Sequence, residues 1–170
     1  MKLDLHVHYY EATGYLPLCT DLVGTLVNTI KEKGLDGIAV INHQWHDPEY
    51  PFMVRDIVAR DYNNEVLIIP GIEFDVGYNH EVELYLSENI IFRFLAHPGD
   101  PYMPRPIIIN DIQGIELKNA QHFVAREAPQ LAEEHNLIRL YNSDAHQLSK
   151  IGSYYNDIDL DTLFAHALAR

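Results

Sequence analysis

The 170-residue chain is 47% hydrophobic and 22% charged, enough apolar material for one core and too little length for two, so residues 1–170 are expected to form one domain. Its formal charge of −13, with 12 Lys and Arg against 25 Asp and Glu, excludes broad affinity for a phosphate backbone, and no strong nucleic-acid binding is expected. No basic amino-terminal region precedes an apolar run and no stretch approaches bilayer length, so the expected compartment is the cytoplasm, without a membrane partner.

Residues 2–8 read as a strand on which alternation places His6 and His8 on one face together with Asp4, and Leu3, Leu5 and Val7 on the other. A Tyr-rich loop over 9–19, with Glu11 its one acid, leads to a helix capped by Thr20 or Asp21, whose apolar face is Leu22, Val23, Leu26, Val27 and Ile30. A buried strand over 37–42 runs straight into His43. Beyond a loop with Trp45, His46 and Pro48, a helical stretch over 53–59 precedes the strand 66–69, bent by Pro70 and Gly71 and continued by Ile72, Glu73 and Phe74. Alternation over 81–86 predicts another strand with His80 at its start, and the apolar strand 90–96 delivers His97, Pro98 and Gly99. Three prolines make 100–106 irregular. A short strand over 114–117, a helix near 121–135 interrupted by Pro129, a strand over 137–141 ending in Asn142-Ser143-Asp144-Ala145-His146, and a last helix from Leu160 complete the pattern.

Apolar strands thus end in a histidine or an acid at His6/His8, His43, Glu73, His97 and Asp144/His146. In a barrel or open sheet of parallel strands the carboxyl ends gather on one face, so these endings imply a single site. Cys19 is the only cysteine, which leaves nitrogen and oxygen donors, and four or five imidazoles with two or more carboxylates suit several ions of zinc, manganese or iron. Two cations sharing a hydroxide nucleophile form the template for hydrolysis of a phosphoester.

Asp4-Leu5-His6-Val7-His8, Asn42-His43, Pro70-Gly71-Ile72-Glu73, Ala96-His97-Pro98 and Ser143-Asp144-Ala145-His146 resemble, in order, the motifs of the polymerase and histidinol phosphatase (PHP) domain family. The resemblance implies an α/β fold, a compact distorted (β/α)7 barrel, with two or three divalent metals and phosphoesterase activity. On that pattern His6, His8, Glu73 and Asp144 hold one metal, Glu73 bridges to a second held also by His97, and His43 with His146 holds a third. The sequence departs from the pattern in two places: the further ligand after HxH falls on Glu11, and the ligand following the bridging acid falls on His80 or on Glu83. Glu73, His43 and His146 are the candidate catalytic groups.

Arg105 and, after it, Lys118 are the candidate phosphate-binding cations. Glu116 is a candidate partner of a ligand or of substrate, Asp4 a candidate for orienting an imidazole, and His46 either a substrate contact or a solvated loop residue. His122, His135 and His166 fall in predicted helices and read as surface residues, and Tyr9, Tyr10 and Tyr15 read as a stacking surface or as amphipathic filling. The expected substrate is a small phosphomonoester or a nucleotide-like phosphodiester. Two other readings remain: a metal-dependent amidohydrolase, disfavoured by the lack of a strand-borne lysine to bridge metals, and a non-catalytic metal-stabilised binding module.

Overall fold

The computed structural model describes residues 1–99 and 107–169. In chain order its elements are β1 (Lys2–Val7), α1 (Tyr9–Ala12), α2 (Thr20–Glu32), β2 (Gly37–His43), α3 (Tyr50–Asp61), β3 (Leu67–Val76), β4 (Asn79–Ser87) and β5 (Ile90–Ala96). There follow β6 (Gly114–Asn119), α4 (Ala128–Glu134), β7 (Ile138–Asn142), a 3₁₀ turn at Leu148–Lys150, β8 (Asn156–Asp157), α5 (Leu160–His166) and β9 (Leu168–Ala169).

Alternation on β2 shows how the layers form. Ala39 and Ile41 pack inward with Leu3, Leu5, Ile69, Val82, Phe92 and Phe94, while Ile38 and Val40 pack outward against Val23, Leu26 and Ile30 of α2 and Val54 and Val58 of α3. A third cluster sets Ala128 and Ala132 of α4 against Leu95 and Ile115. The strand order is β7-β6-β5-β4-β3-β2-β1-β8, with β9 on β5. The sheet nearly closes into a barrel where Val7 bridges Ala145 and His8 N donates to Ala145 O at 3.0 Å. Side chains stitch the rest of that seam: Leu5 N donates to Asn142 Oδ1 at 3.1 Å, and the Asn156 amide donates to Leu3 O at 3.2 Å and Tyr141 O at 3.1 Å. These buried amides supply the partners that strand pairing would otherwise give.

The fold is mixed α/β, and a regular (β/α)7 alternation is not what organises it. β3, β4 and β5 form an antiparallel meander joined by the two-residue turns 77–78 and 88–89, with no helix between them. Since β4 runs against its neighbours, its start lies at the rim where β3 and β5 end, and His80 pairs with Asp75 and Ala96. Pro70 does not divide β3, because pairing with β4 begins only at Gly71, beyond the missing proline N–H.

A bulge corrects the expected face of Asp4. Asp4 pairs with Ile38 but Val7 with Val40, so β1 carries one extra residue between them. Leu5 and His6 consequently reach the same interior, where His6 meets Phe94 edge-on at 6.1 Å, and Asp4 points away from the imidazoles towards Ser143 and Gly152. The helix expected near 121–135 is confined to Ala128–Glu134, with Pro129 in its first turn, where a proline is tolerated. Among the described residues no helix is long and apolar enough to cross a membrane.

Candidate metal centre

Glu73, at the end of the buried part of β3 and 2% exposed, occupies the middle of the histidine cluster. Its Oε2 lies 3.0 Å from His43 Nδ1 and 3.3 Å from His8 Nε2, while Oε1 lies 3.3 Å from His97 Nε2 and 3.5 Å from His80 Nδ1. Each oxygen of one carboxylate therefore faces its own set of imidazoles, the arrangement a bridging ligand needs.

Asp144 completes the first group. Its Oδ1 is 3.5 Å from His6 Nε2 and 3.3 Å from His8 Nε2. His6 Nδ1 is committed elsewhere, to Glu116 Oε1 at 3.0 Å, which leaves Nε2 turned into the centre. Glu116 is wholly buried and also accepts from Asn142 Nδ2 at 2.8 Å, Asn119 Nδ2 at 2.9 Å and the His97 amide at 2.7 Å. Both His97 and Asp144 have left-handed backbones, φ 28° and 51°, sparsely populated conformations that persist where surrounding bonds enforce them. Glu116 holds His97 in this way, and Asp4 holds the loop of Asp144, accepting from Ser143 Oγ at 2.5 Å, Ser143 N at 3.1 Å and Gly152 N at 2.9 Å. Burial pushes the Asp4 carboxyl up to about 6 against these bonds.

A third group forms beside α1. His8, His43 and His146 bring ring nitrogens within 4.8 Å of one another, and His146 Nδ1 donates to Asp144 O at 2.9 Å, leaving Nε2 free. Glu11 faces the same group, its Oε1 3.8 Å from His43 Nε2 and 3.1 Å from His46 Nδ1.

The donor set fits divalent cations. Glu73, Glu116 and Asp144 are buried, and among the described residues every ion-pair partner within reach of them is a histidine. Buried carboxylates without a fixed cation nearby carry a desolvation penalty of several kcal/mol each, about 3–5 kcal/mol when left unpaired. Moreover His8 Nδ1 and Glu11 Oε2 are buried without a hydrogen-bond partner, at about 1–3 kcal/mol apiece, and Glu11 Oε1, Glu73 Oε1 and Asp144 Oδ1 meet imidazole nitrogens only outside hydrogen-bond geometry. Metal coordination would relieve both costs. Without metal, protons take that role: burial disfavours a charged His6, yet Asp144 and Glu116 override it and hold the imidazole well above its ordinary range. Glu73 and Asp144 are correspondingly held below the usual carboxylate range, against burial, by the surrounding histidines.

The structure brings His6, His8, Glu11, His43, Glu73, His80, His97, Asp144 and His146 together around these contacts. Glu83 lies apart, ion-paired with Arg93. Lys118 is exposed, its ammonium 5.8 Å from the centroid of Tyr154, and is not among the residues lining the cavity above Glu73; Arg105 falls outside the described residues. That cavity, about 570 Å³, is bordered by His43, His80, His97, Phe123 and His146. His122 also borders it; it is exposed, as its reading as a surface residue has it, but it lies in a loop rather than a helix, its ring 4.4 Å from His97 and its Nε2 3.6 Å from Asp144 Oδ2. The signal was Asn119, whose Oδ1 accepts from Gln121 N and His122 N at 2.8 Å and turns the chain back over the strand ends. Tyr9 is core, donating to Leu22 O at 2.8 Å, whereas His135 and His166 are exposed as expected.

Residues 125–169 match the family model described as PHP-associated. The fold is shared with PsfC from Pseudomonas syringae PB-5123, at 15% identity and a TM-score of 0.65 over 99% of this chain and 88% of that one. It is shared also with a "putative metal-dependent phosphoesterase" from Bifidobacterium adolescentis ATCC 15703, at 13% identity and a TM-score of 0.68 over 96% of this chain and 94% of that one. No curated protein matches significantly. Motif order, the PHP-associated match and the shared fold together support placing the chain in the PHP-domain family.

Proposed function

We propose that the chain is a metal-dependent phosphoesterase acting as one catalytic domain. The observation that carries this reading is Glu73, whose two oxygens each face a separate group of imidazoles across a few ångströms. The fold neighbour described as a metal-dependent phosphoesterase supports it. We assign His6, His8, Glu73 and Asp144 to one ion, Glu73, His80 and His97 to a second, and Glu11, His43 and His146 to a third.

Divalent cations bound there would supply Lewis-acid charge at the phosphoryl oxygens and make water acidic enough to serve as nucleophile near neutral pH. The chain's own residues do the rest. Glu116, through His6 Nδ1 and the His97 amide, fixes two ligands before substrate arrives, so little reorganisation accompanies the reaction. Water oxygen bonds to phosphorus and gives up a proton, the bond to the leaving oxygen breaks, and that oxygen takes up a proton from solvent in the cavity, since His43 and His146 would be neutral ligands whose Nδ1 atoms are turned to Glu73 and to Asp144 O.

The test is phosphate release by protein reconstituted with zinc, manganese or iron, on a panel of phosphomonoesters and phosphodiesters. Metal-dependent turnover, abolished in His6→Ala and in Asp144→Ala, is expected; hydrolysis of no phosphoester by fully metallated protein would overturn the reading.

A further inference from the structure

Asp144 is divided between two groups of imidazoles, as Glu73 is. Its Oδ1 lies 3.5 Å from His6 and 3.3 Å from His8, whereas its Oδ2 lies 3.7 Å from His97 Nε2 and 3.6 Å from His122 Nε2. His97, His122 and Asp144 each offer one ligand atom, all within 4.8 Å of one another, and such spacings suit donors placed around one cation at bond lengths of about 2.0–2.2 Å. None of the assignments above uses His122. A histidine near a carboxylate is ordinary on a protein surface, but this one is placed by a residue that also holds its partner. Asn119, the last residue of β6, accepts from the His122 amide through Oδ1 at 2.8 Å and donates through Nδ2 to Asp144 Oδ2 at 3.1 Å. One side chain thus sets the imidazole over the carboxylate, and an ionised Oδ2 has a second lone pair to offer.

His97 belongs to this group and to the second ion's group at once, since its Nε2 also lies 3.3 Å from Glu73 Oε1. An imidazole nitrogen has one lone pair for a metal, so His97 serves the two groups in turn. They differ in depth: the His122 side chain is 55% exposed and that of Glu73 3%, although both line the same cavity.

Resting on the assignment of a second ion to Glu73, His80 and His97, we propose that His122, His97 and Asp144 Oδ2 form a loading station for that ion, a fourth cation site occupied only in transit. The incoming cation exchanges water for His122 and Asp144 Oδ2 at the cavity mouth and takes the His97 lone pair. It then moves inward by trading the first two donors for Glu73 Oε1 and His80 while His97 stays bound. The inner group prevails at equilibrium because Asp144 Oδ2 is shared with the Asn119 amide, whereas Glu73 Oε1 is buried and shared with no amide.

The experiment follows Co²⁺ uptake by the chelator-stripped full chain in stopped flow, reading the visible absorption of the bound ion. The phase that His80→Ala lacks marks the second ion, and elemental analysis gives the final content. In His122→Ala this phase should be about tenfold slower, the low end of what removing one supporting group costs a metal site in affinity, with the final content unchanged. His122→Asp, which supplies a carboxylate in place of the imidazole, should keep most of the rate. Equal rates in the wild type and His122→Ala would overturn the station and leave the second ion standing. A lower final content in His122→Ala would overturn it too, by making His122 a permanent ligand. A wild type with no phase that depends on His80 would remove the second ion and the station together. Hydrolysis enters none of these readouts, so the phosphoesterase reading stands or falls separately.

Discussion

Glu116 on β6 accepts the Nδ1 proton of His6 on β1 at 3.0 Å, linking two residues 110 positions apart in the chain. The bond decides which imidazole nitrogen is left to coordinate, and its acceptor is shared with the His97 amide and two asparagine amides. A neutral amide in this position would present donors to donors.

Glu116→Gln should therefore keep the fold and weaken metal binding by about 10–100-fold, the usual effect of removing the partner of a ligating histidine. Competition with a chelator of known affinity measures this, with circular dichroism as the check on folding. Unchanged affinity would mean that the His6 tautomer is fixed by something other than Glu116.

Asp4 supports the loop that carries Asp144 without touching an imidazole ring. Asp4→Ala would leave the Ser143 hydroxyl, the Ser143 amide and the Gly152 amide without their acceptor, at a cost of about 3 kcal/mol in urea unfolding. Ser143→Ala, which removes one of those bonds, should cost about 1 kcal/mol. Equal losses would show that the network is not organised around Asp4.

Stability of the metal-free protein should peak on the acid side of neutrality. Burial opposes charge on His6 and His8, but the neighbouring carboxylates raise both above the ordinary 6.5. Their contribution is fully present below 6.5 and fades as pH rises through the raised values. Glu73 and Asp144 are depressed from the ordinary 4.5 and 3.8, so their contribution is present above those values and is lost as pH falls towards the lowered ones. Thermal unfolding of chelator-treated protein should thus show a maximum between pH 4.5 and 6.5, and added metal should raise stability most on the alkaline side, where protons compete least. A metal-free protein that grows steadily more stable above neutral pH would contradict this.

His80 and Glu83 separate cleanly. His80→Ala should lower the metal content by about one equivalent, since its Nδ1 lies 3.5 Å from the bridging Glu73. Glu83→Gln disturbs the mostly buried pair with Arg93 and the bond from Tyr85 OH at 3.2 Å, both away from the histidine cluster, so elemental analysis should find the metal content unchanged while stability falls by about 1–3 kcal/mol. The reverse pattern would move the second ion away from the start of β4.

Much of the site was legible because strands deliver their last residues to a common rim: His43, Glu73, His97 and Asp144 could be grouped from the apolar runs that precede them. The orientation of β4 was harder to see, since a period of two does not give direction; the short turn at 77–78, with Gly77 at φ 65°, was the cue for a hairpin. The β1 bulge leaves no mark in the sequence, for alternation is intact in the residues and broken only in the pairing. His122 was missed because an apolar-helix pattern was extended through a segment that Asn119 turns into a loop. Glu116, by contrast, was found from its place at the end of a short strand, although three of its four donors, His6, His97 and Asn142, come from other parts of the chain.

Metal stoichiometry by elemental analysis, on protein prepared without chelator and without a histidine tag, tests the bridging role of Glu73 most directly. A Glu73 carboxylate that serves two groups of imidazoles at once predicts at least two equivalents of zinc, manganese or iron per chain, falling in Glu73→Ala by more than one. Only trace metal after reconstitution, or full metal content in Glu73→Ala, would contradict it.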